Sequence, residues 1–249
     1  MKLDTVCAFL DDFLRIKTFQ DVSHNGLQVQ NNGTVTKICL GVDATLPFFR
    51  CAVERGADCV IVHHGLSWGD SLARITGRNY DLVEFAVRNN LAVYGCHLPL
   101  DAHPVVGNNA QLAKLLGVRR VKPFYDYHGQ LIGVKGDLNL SLEVLKKRIR
   151  TGISTKTVFC DFGKPVVRRI GIVSGGVGDG VEQAAVEKLD YYLSGEPSLI
   201  GYHAAEHYGI NAAFAGHYPT ETFGVKALAP EIRKKLRIKT EFIEFGISV

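Results

Sequence analysis

Two stretches of this 249-residue chain follow one plan at a fixed offset, and that restricts the folds open to it. In the first, Lys37 to Val42 reads as a strand and Leu46 to Arg55 as a helix closed by Gly56. Asp58 to Val62 is a short apolar strand, residues 80–90 are helical, and Leu91 to Tyr94 is another strand. Asn108 to Leu116 then reads as a helix closed by Gly117. In the second stretch, Arg169 to Val173 is a strand, followed by a glycine-rich turn (Gly175 to Gly180) and a helix through Lys188. Asp190 to Leu193 and Ile210 to Ala215 complete it as strands. Ile38 and Ile170 open corresponding strands 132 residues apart, and Asp58 and Asp190 open the next pair at the same spacing. The following strands run into His97-Leu98-Pro99-Leu100-Asp101 and His217-Tyr218-Pro219-Thr220-Glu221, both H-x-P-x-acid, offset by 120. Strands alternating with helices specify an α/β fold with a largely parallel sheet. The repeat makes it two pseudo-symmetric α/β halves. Residues 1–125 carry His63, His64 and Asp101, and residues 126–249 carry His217 and Glu221.

The rest of the chain fits around these halves. Residues 3–16 and 225–237 have apolar residues at helical spacing, and Phe242 to Phe245 reads as a closing strand. Residues 126–165 read as strand, helix and strand, with Ser141 as helix N-cap. There is no low-complexity linker, so the halves are expected to pack tightly. At 46% hydrophobic and 22% charged residues the composition excludes disorder. No apolar run reaches the roughly 18 residues of a membrane helix. Asp4, Asp11 and Asp12 interrupt the N-terminal helix, unlike a signal peptide. None of the six cysteines (Cys7, Cys39, Cys51, Cys59, Cys96, Cys160) forms a C-x-x-C pair, as expected of buried thiols in a cytoplasmic protein. The net charge of +4 is spread along the chain and does not by itself imply a nucleic-acid partner.

The chemistry sits at the ends of strands, where open α/β sheets bind ligands. The strand from Asp58 ends in His63-His64-Gly65. Neighbouring strand residues point to opposite faces, so two adjacent histidines chelate one ion poorly but can each reach one of two ions. The prolines of the two H-x-P-x-acid motifs argue against helix, so each motif is expected to be a loop that folds its acid back toward its histidine. The candidate ligands are therefore His63, His64, Asp101, His217 and Glu221. Imidazole and carboxylate together suit two divalent ions such as Fe, Mn, Zn, Co or Ni, and a bridging hydroxide would be the nucleophile of a hydrolase. His97 is a further ligand or an acid/base. Glu196, which the repeat aligns with His64, is an acid near the metals or a turn cap.

The sequence resembles the GTP cyclohydrolase I type 2 homologue family, also called the NGG-interacting-factor-three-like family. The likeness runs through His24 to Val29, Gly56 to Gly65, Tyr94 to Pro104, Gly107 to Leu112, Ser194 to Glu196, and Gly216 to Glu221. It is closest to the short bacterial form. It implies a dinuclear centre on the same five residues with Glu221 as bridge, interlinked α/β halves, and a toroidal homohexamer. It also implies a small-molecule substrate, GTP by the family's name. A nucleotide or phosphoester fits the ligand set equally well. Two other readings stay open: a non-enzymatic metal-handling or regulatory protein, and a ring associated with nucleic acid. Trp68, the single tryptophan, could stack on a ring-bearing ligand or be buried under a loop. His203 and Glu206 read as a surface pair, the glycine run as a tight turn or a phosphate cradle, and His103, Asn108 and Asn109 as cavity lining or helix caps.

Overall fold

A computed structural model describes residues 1–247. Helix α1 (Leu3–Leu14) buries Leu3, Val6, Leu10 and Leu14, the one-sided spacing that a surface helix needs. Strands β1 (Gly26–Val29) and β2 (Lys37–Asp43) follow. Helix α2 (Leu46–Glu54) starts where the Thr45 side chain accepts from Phe48 N, with Pro47 in the first turn where no N–H is missed. Next come β3 (Cys59–His64), α3 (Arg78–Arg88), β4 (Ala92–Gly95) and the short α4 (Leu98–Ala102). Helix α5 (Asn108–Leu116) ends at Gly117, whose φ of 80° is the left-handed cap expected of glycine.

Strands β5 (Arg119–Tyr127) and β6 (Gln130–Ser141) form an antiparallel pair, and Ser141 caps α6 (Leu142–Gly152) as the sequence predicts. Beyond β7 (Val158–Asp161) and β8 (Val166–Ile172) the glycine run makes a single 3-10 turn before α7 (Val181–Val186). The chain continues through β9 (Tyr191–Ser194), α8 (Leu199–Tyr208), β10 (Asn211–Phe214), α9 (His217–Leu236) and β11 (Lys239–Phe242). Two expectations are corrected here. The helix anticipated from residue 225 begins at His217, and the closing strand lies at Lys239–Phe242 instead of Phe242–Phe245. Among the described residues no helix is long and apolar enough to cross a membrane.

The chain forms two compact units, each with its own sheet and core. The first comprises Met1–Leu100 with Val225–Phe245, the second Asp101–Gly224 with Gly246 and Ile247. They depart from a sequential split at 125/126. Asp101 falls in the second unit, and the segment ending in β11 returns to the first because β11 pairs in parallel with the edge of β2.

The first sheet has the order β1-β4-β3-β2-β11, with only β1 antiparallel to its neighbour. Its central strands are almost wholly buried, as parallel strands covered on both faces must be. Phe48, Phe49, Val60, Val62, Leu82 and Val93 lie in its core. The second sheet has the order β5-β6-β8-β9-β10-β7, with β8, β9 and β10 parallel and the rest antiparallel. Leu112, Leu145, Ile149, Ile170, Tyr191 and Leu193 lie in its core.

The repeat survives at atomic detail. The run β1-β4-β3-β2 has the same order and directions as β7-β10-β9-β8. Ile38 pairs with Cys59 and Ile170 with Tyr191, so both registers keep the 132-residue offset. The two aspartates do the same work. Asp58 accepts from the backbone N–H of Thr36 and Lys37, and Asp190 from that of Arg168 and Arg169, again 132 residues on.

Candidate metal centre

Within the first unit, His63 and His64 are the last residues of β3. They do not diverge as an ideal strand would place them, because the strand ends there: the two rings lie 4.7 Å apart. His97 follows β4 and joins them, 5.2 Å from His63 and 5.8 Å from His64 between ring centroids. One nitrogen from each of the three lies within 4.8 Å of the others, a group that could hold a metal ion.

Each ring is held by its Nδ1. His63 Nδ1 is 2.9 Å from the Cys96 carbonyl oxygen, His64 Nδ1 is 2.7 Å from Asp43 Oδ1, and His97 Nδ1 is 3.0 Å from Asp21 Oδ1. A carbonyl or carboxylate acceptor at Nδ1 fixes the tautomer that presents the Nε2 lone pair, the usual arrangement behind a metal-binding histidine. Asp43 reaches its place by register, since it is the cross-strand partner of His64. The Asp21 side chain is almost completely buried and is the hub of its region. It accepts from His97, from Asn25 Nδ2, and from the backbone N–H of Ser23 and Leu98, the last at the start of α4. Burial opposes its ionisation, yet these hydrogen bonds and the His97 ring outweigh burial and hold its carboxyl at about 2.

In the second unit, His217 and Glu221 open α9 one turn apart, with His217 Nε2 3.2 Å from Glu221 Oε1. Asp101 lies in α4, and one of its carboxylate oxygens is within 4.8 Å of one from Glu221. Both acids are buried, Asp101 at 6% and Glu221 at 2% exposure. The H-x-P-x-acid motifs are therefore helix starts, not the expected loops. Proline breaks an interior turn, but the first N–H groups of a helix have no partner inside it, so Pro99 and Pro219 lose nothing there. Glu196 lies two residues beyond β9 and its Oε1 is 2.6 Å from His217 Nδ1. That makes it the fourth Nδ1 acceptor, a residue acting through His217. Burial disfavours the His217 cation, but Glu221 and Glu196 outweigh it and push its pKa up to about 9.

Around Asp101 the network is dense. Asn108 Nδ2 and Ser174 Oγ both donate to its Oδ1, at 2.8 and 2.9 Å. Asn109 donates to the Asp101 carbonyl and to the Ile132 carbonyl, and accepts from Ser174 N. These residues are buried, and they hold the acid in place. The glycine turn folds against the same group: Gly175, at φ 73°, has room only for hydrogen where a Cβ would lie 2.4 Å from Glu221 Oε1. This explains the glycine without a phosphate. His103 accepts from Val105 N and Val106 N as a local cap, and His203 and Glu206 are an exposed pair on α8. Trp68 is half-buried beside His64 and His97.

Sequence reasoning missed Asp21, Asp43, Asn25 and Ser174. The register of β2 against β3 was a usable signal for Asp43. Asp21 comes from a segment with no counterpart in the repeat, so no spacing could have flagged it. Within each unit the donors fit divalent metal: three imidazoles with Nδ1 anchored in the first, and an anchored imidazole with two buried carboxylates in the second.

Comparison with known proteins agrees over the full chain. The family model described as Duf34/NIF3 (NGG1p interacting factor 3) matches residues 1–247. A protein named GTP cyclohydrolase 1 type 2 homolog from Deinococcus radiodurans is 41% identical over 244 residues, covering 97% of this chain and 92% of that one. One of the same name from Archaeoglobus fulgidus is 39% identical, covering 98% of each. Among solved structures, the structural-genomics protein ybgI, of unknown function, superposes with a TM-score of 0.92 at 33% identity and full coverage of both chains. A Thermus thermophilus protein gives 0.91 at 34% with the same coverage. Reduced HcgD from Methanocaldococcus jannaschii gives 0.86 at 25%, covering 98% of each.

Proposed function

The chain belongs to the Duf34/NIF3 family, and from that premise we propose that it is a dinuclear metal-dependent hydrolase acting on a nucleotide or another phosphorylated small molecule. The observation that carries this reading is the set of four histidines, each with Nδ1 held by an acceptor so that Nε2 can serve a cation. In this reading His63, His64, Asp101, His217 and Glu221 would hold two divalent ions. The shared name of the curated relatives, GTP cyclohydrolase 1 type 2 homolog, supports a nucleotide substrate. The family resemblance supports a cytoplasmic, toroidal homohexamer.

Bound there, divalent ions supply charge that polarises an electrophilic centre, and they acidify a coordinated water toward about pH 7. The chain's own residues do the rest. Asp21 holds the His97 ring by Nδ1, so Nε2 is the atom through which His97 can pass a proton. Glu196 orients His217, and Asn108 with Ser174 directs the Asp101 carboxylate by holding one of its oxygens.

The test is metal content and turnover together. Purified protein loaded with Mn, Fe or Zn is expected to hold two ions per subunit within bridging distance by anomalous scattering. It is also expected to turn over GTP or a phosphoester. The Asp101→Ala/Glu221→Ala double variant should lose both properties. Equal turnover by the double variant overturns a metal-centred mechanism. Tight metal binding with no turnover across the panel moves the reading to metal handling.

A further inference from the structure

We propose that Trp68 is the stacking wall of the substrate site, and that the ligand it selects carries a planar aromatic heterocycle. This rests on the metal-centre reading above and names the substrate class for it. Trp68 packs beside two rings of the histidine cluster. Its ring centroid is 4.8 Å from that of His97, edge to face, and 5.8 Å from that of His64. Yet it is only half-buried, whereas its sequence neighbour Leu66 is a buried member of the apolar core. A large ring left half-buried against polar imidazoles gives up hydrophobic stabilisation that a core position would have provided.

The ring is also tied down by a hydrogen bond of its own. Its indole Nε1–H donates to the Gly65 carbonyl at 2.7 Å, so the polar edge is spent locally and only the π face is left for a partner. The turn that carries it is pinned from several directions. Gln28 Oε1 accepts from Leu66 N and Ser67 N, Trp68 N donates to Ser71 Oγ, and that hydroxyl donates to the Leu66 carbonyl. Ser67 Oγ lies 2.6 Å from His24 Nδ1, and Trp68 forms an isolated backbone bridge with Ser23. The His24-to-Gln28 segment thus acquires a role: it fixes the aromatic wall. A rigid aromatic surface binds a flat ring at small entropic cost, and any heterocycle offers it a π face.

Trp68 is the single tryptophan of the chain, so intrinsic emission excited at 295 nm reports on this site alone. Metal-loaded protein is titrated with GMP, UMP and a pterin, and in parallel with ribose 5-phosphate, which has the phosphate but no aromatic ring. Saturable quenching is expected from at least one ring-bearing probe and none from ribose 5-phosphate. By calorimetry, Trp68→Leu should weaken that probe at least about tenfold and leave metal affinity unchanged, while Trp68→Phe recovers most of the loss. Three results overturn the proposal. One is no saturable change with any ring-bearing probe. A second is equal affinity of the wild type and Trp68→Leu for the responding probe. The third is loss of metal binding in Trp68→Leu, which makes the residue structural. Failure of the wild type to bind metal is a separate result, and it strikes the metal-centre reading instead.

Discussion

At Gly175 a single hydrogen atom separates a working carboxylate from a displaced one. Alanine there would sit at a positive φ, a strain of about 1–2 kcal/mol, and would thrust a methyl group into the buried Glu221 carboxylate. Gly175→Ala is therefore expected to lower metal affinity at least about tenfold by calorimetry, on the scale of losing a supporting residue. Gly33→Ala is the control. Its φ of 90° brings similar strain, but nothing lies within 4 Å of the new methyl, so metal affinity should not change. At this scale the sequence revealed the residues that recur: the histidine pair at a strand end and the two H-x-P-x-acid motifs. It concealed those that act by donating to or accepting from them. Asp21, Asp43 and Ser174 are ordinary polar residues until the fold brings them to an imidazole Nδ1 or a carboxylate oxygen.

Among the elements, the two aspartates that begin the repeated strands make the clearest case. Asp58 and Asp190 each accept backbone N–H groups at the mouth of the adjacent parallel strand, at equivalent positions in separate sheets. Removing either acceptor strands those donors. Asp58→Ala and Asp190→Ala should each cost about 1–3 kcal/mol in urea unfolding. Losses of similar size would support a common origin of the two sheets, and a negligible effect at one site would count against equivalence. Strands were legible because the buried parallel ones are short unbroken apolar runs. The two motif helices were not, because proline reads as a breaker unless its place in the first turn is known. The closing strand was misplaced because β11 is a half-buried edge with no strong alternation: Glu241 in its middle is tied to Lys37 and Arg55.

For the whole molecule, the discontinuity of the first unit matters most. Val225, Leu228, Ile232 and Ile243 are all at most 2% exposed and belong to that unit, although they lie more than a hundred residues from the rest of it. Each is worth about 1.5–3 kcal/mol of burial, so together they approach the whole stability of an ordinary domain. A chain ending at Gly224 is expected to lose the first unit. Proteolysis should degrade residues 1–100 of that truncation while the intact protein resists; a protected fragment from this region would show the unit to be self-sufficient. The division into units was not legible beforehand, because a sequence read in order suggests sequential halves, and only the pairing of β11 with β2 shows otherwise.

That pairing also sets an order of events during synthesis. Every strand of the second unit lies in one continuous segment, so its sheet can close as soon as that segment leaves the ribosome. The first cannot: until residues 239–242 have been made, β2 faces solvent with an open edge carrying Ile38 and Leu40. An apolar parallel strand with an unpaired edge is a template for mispairing with another nascent chain. The protein is thus most exposed to aggregation while it is being translated, and the last strand to emerge removes the hazard.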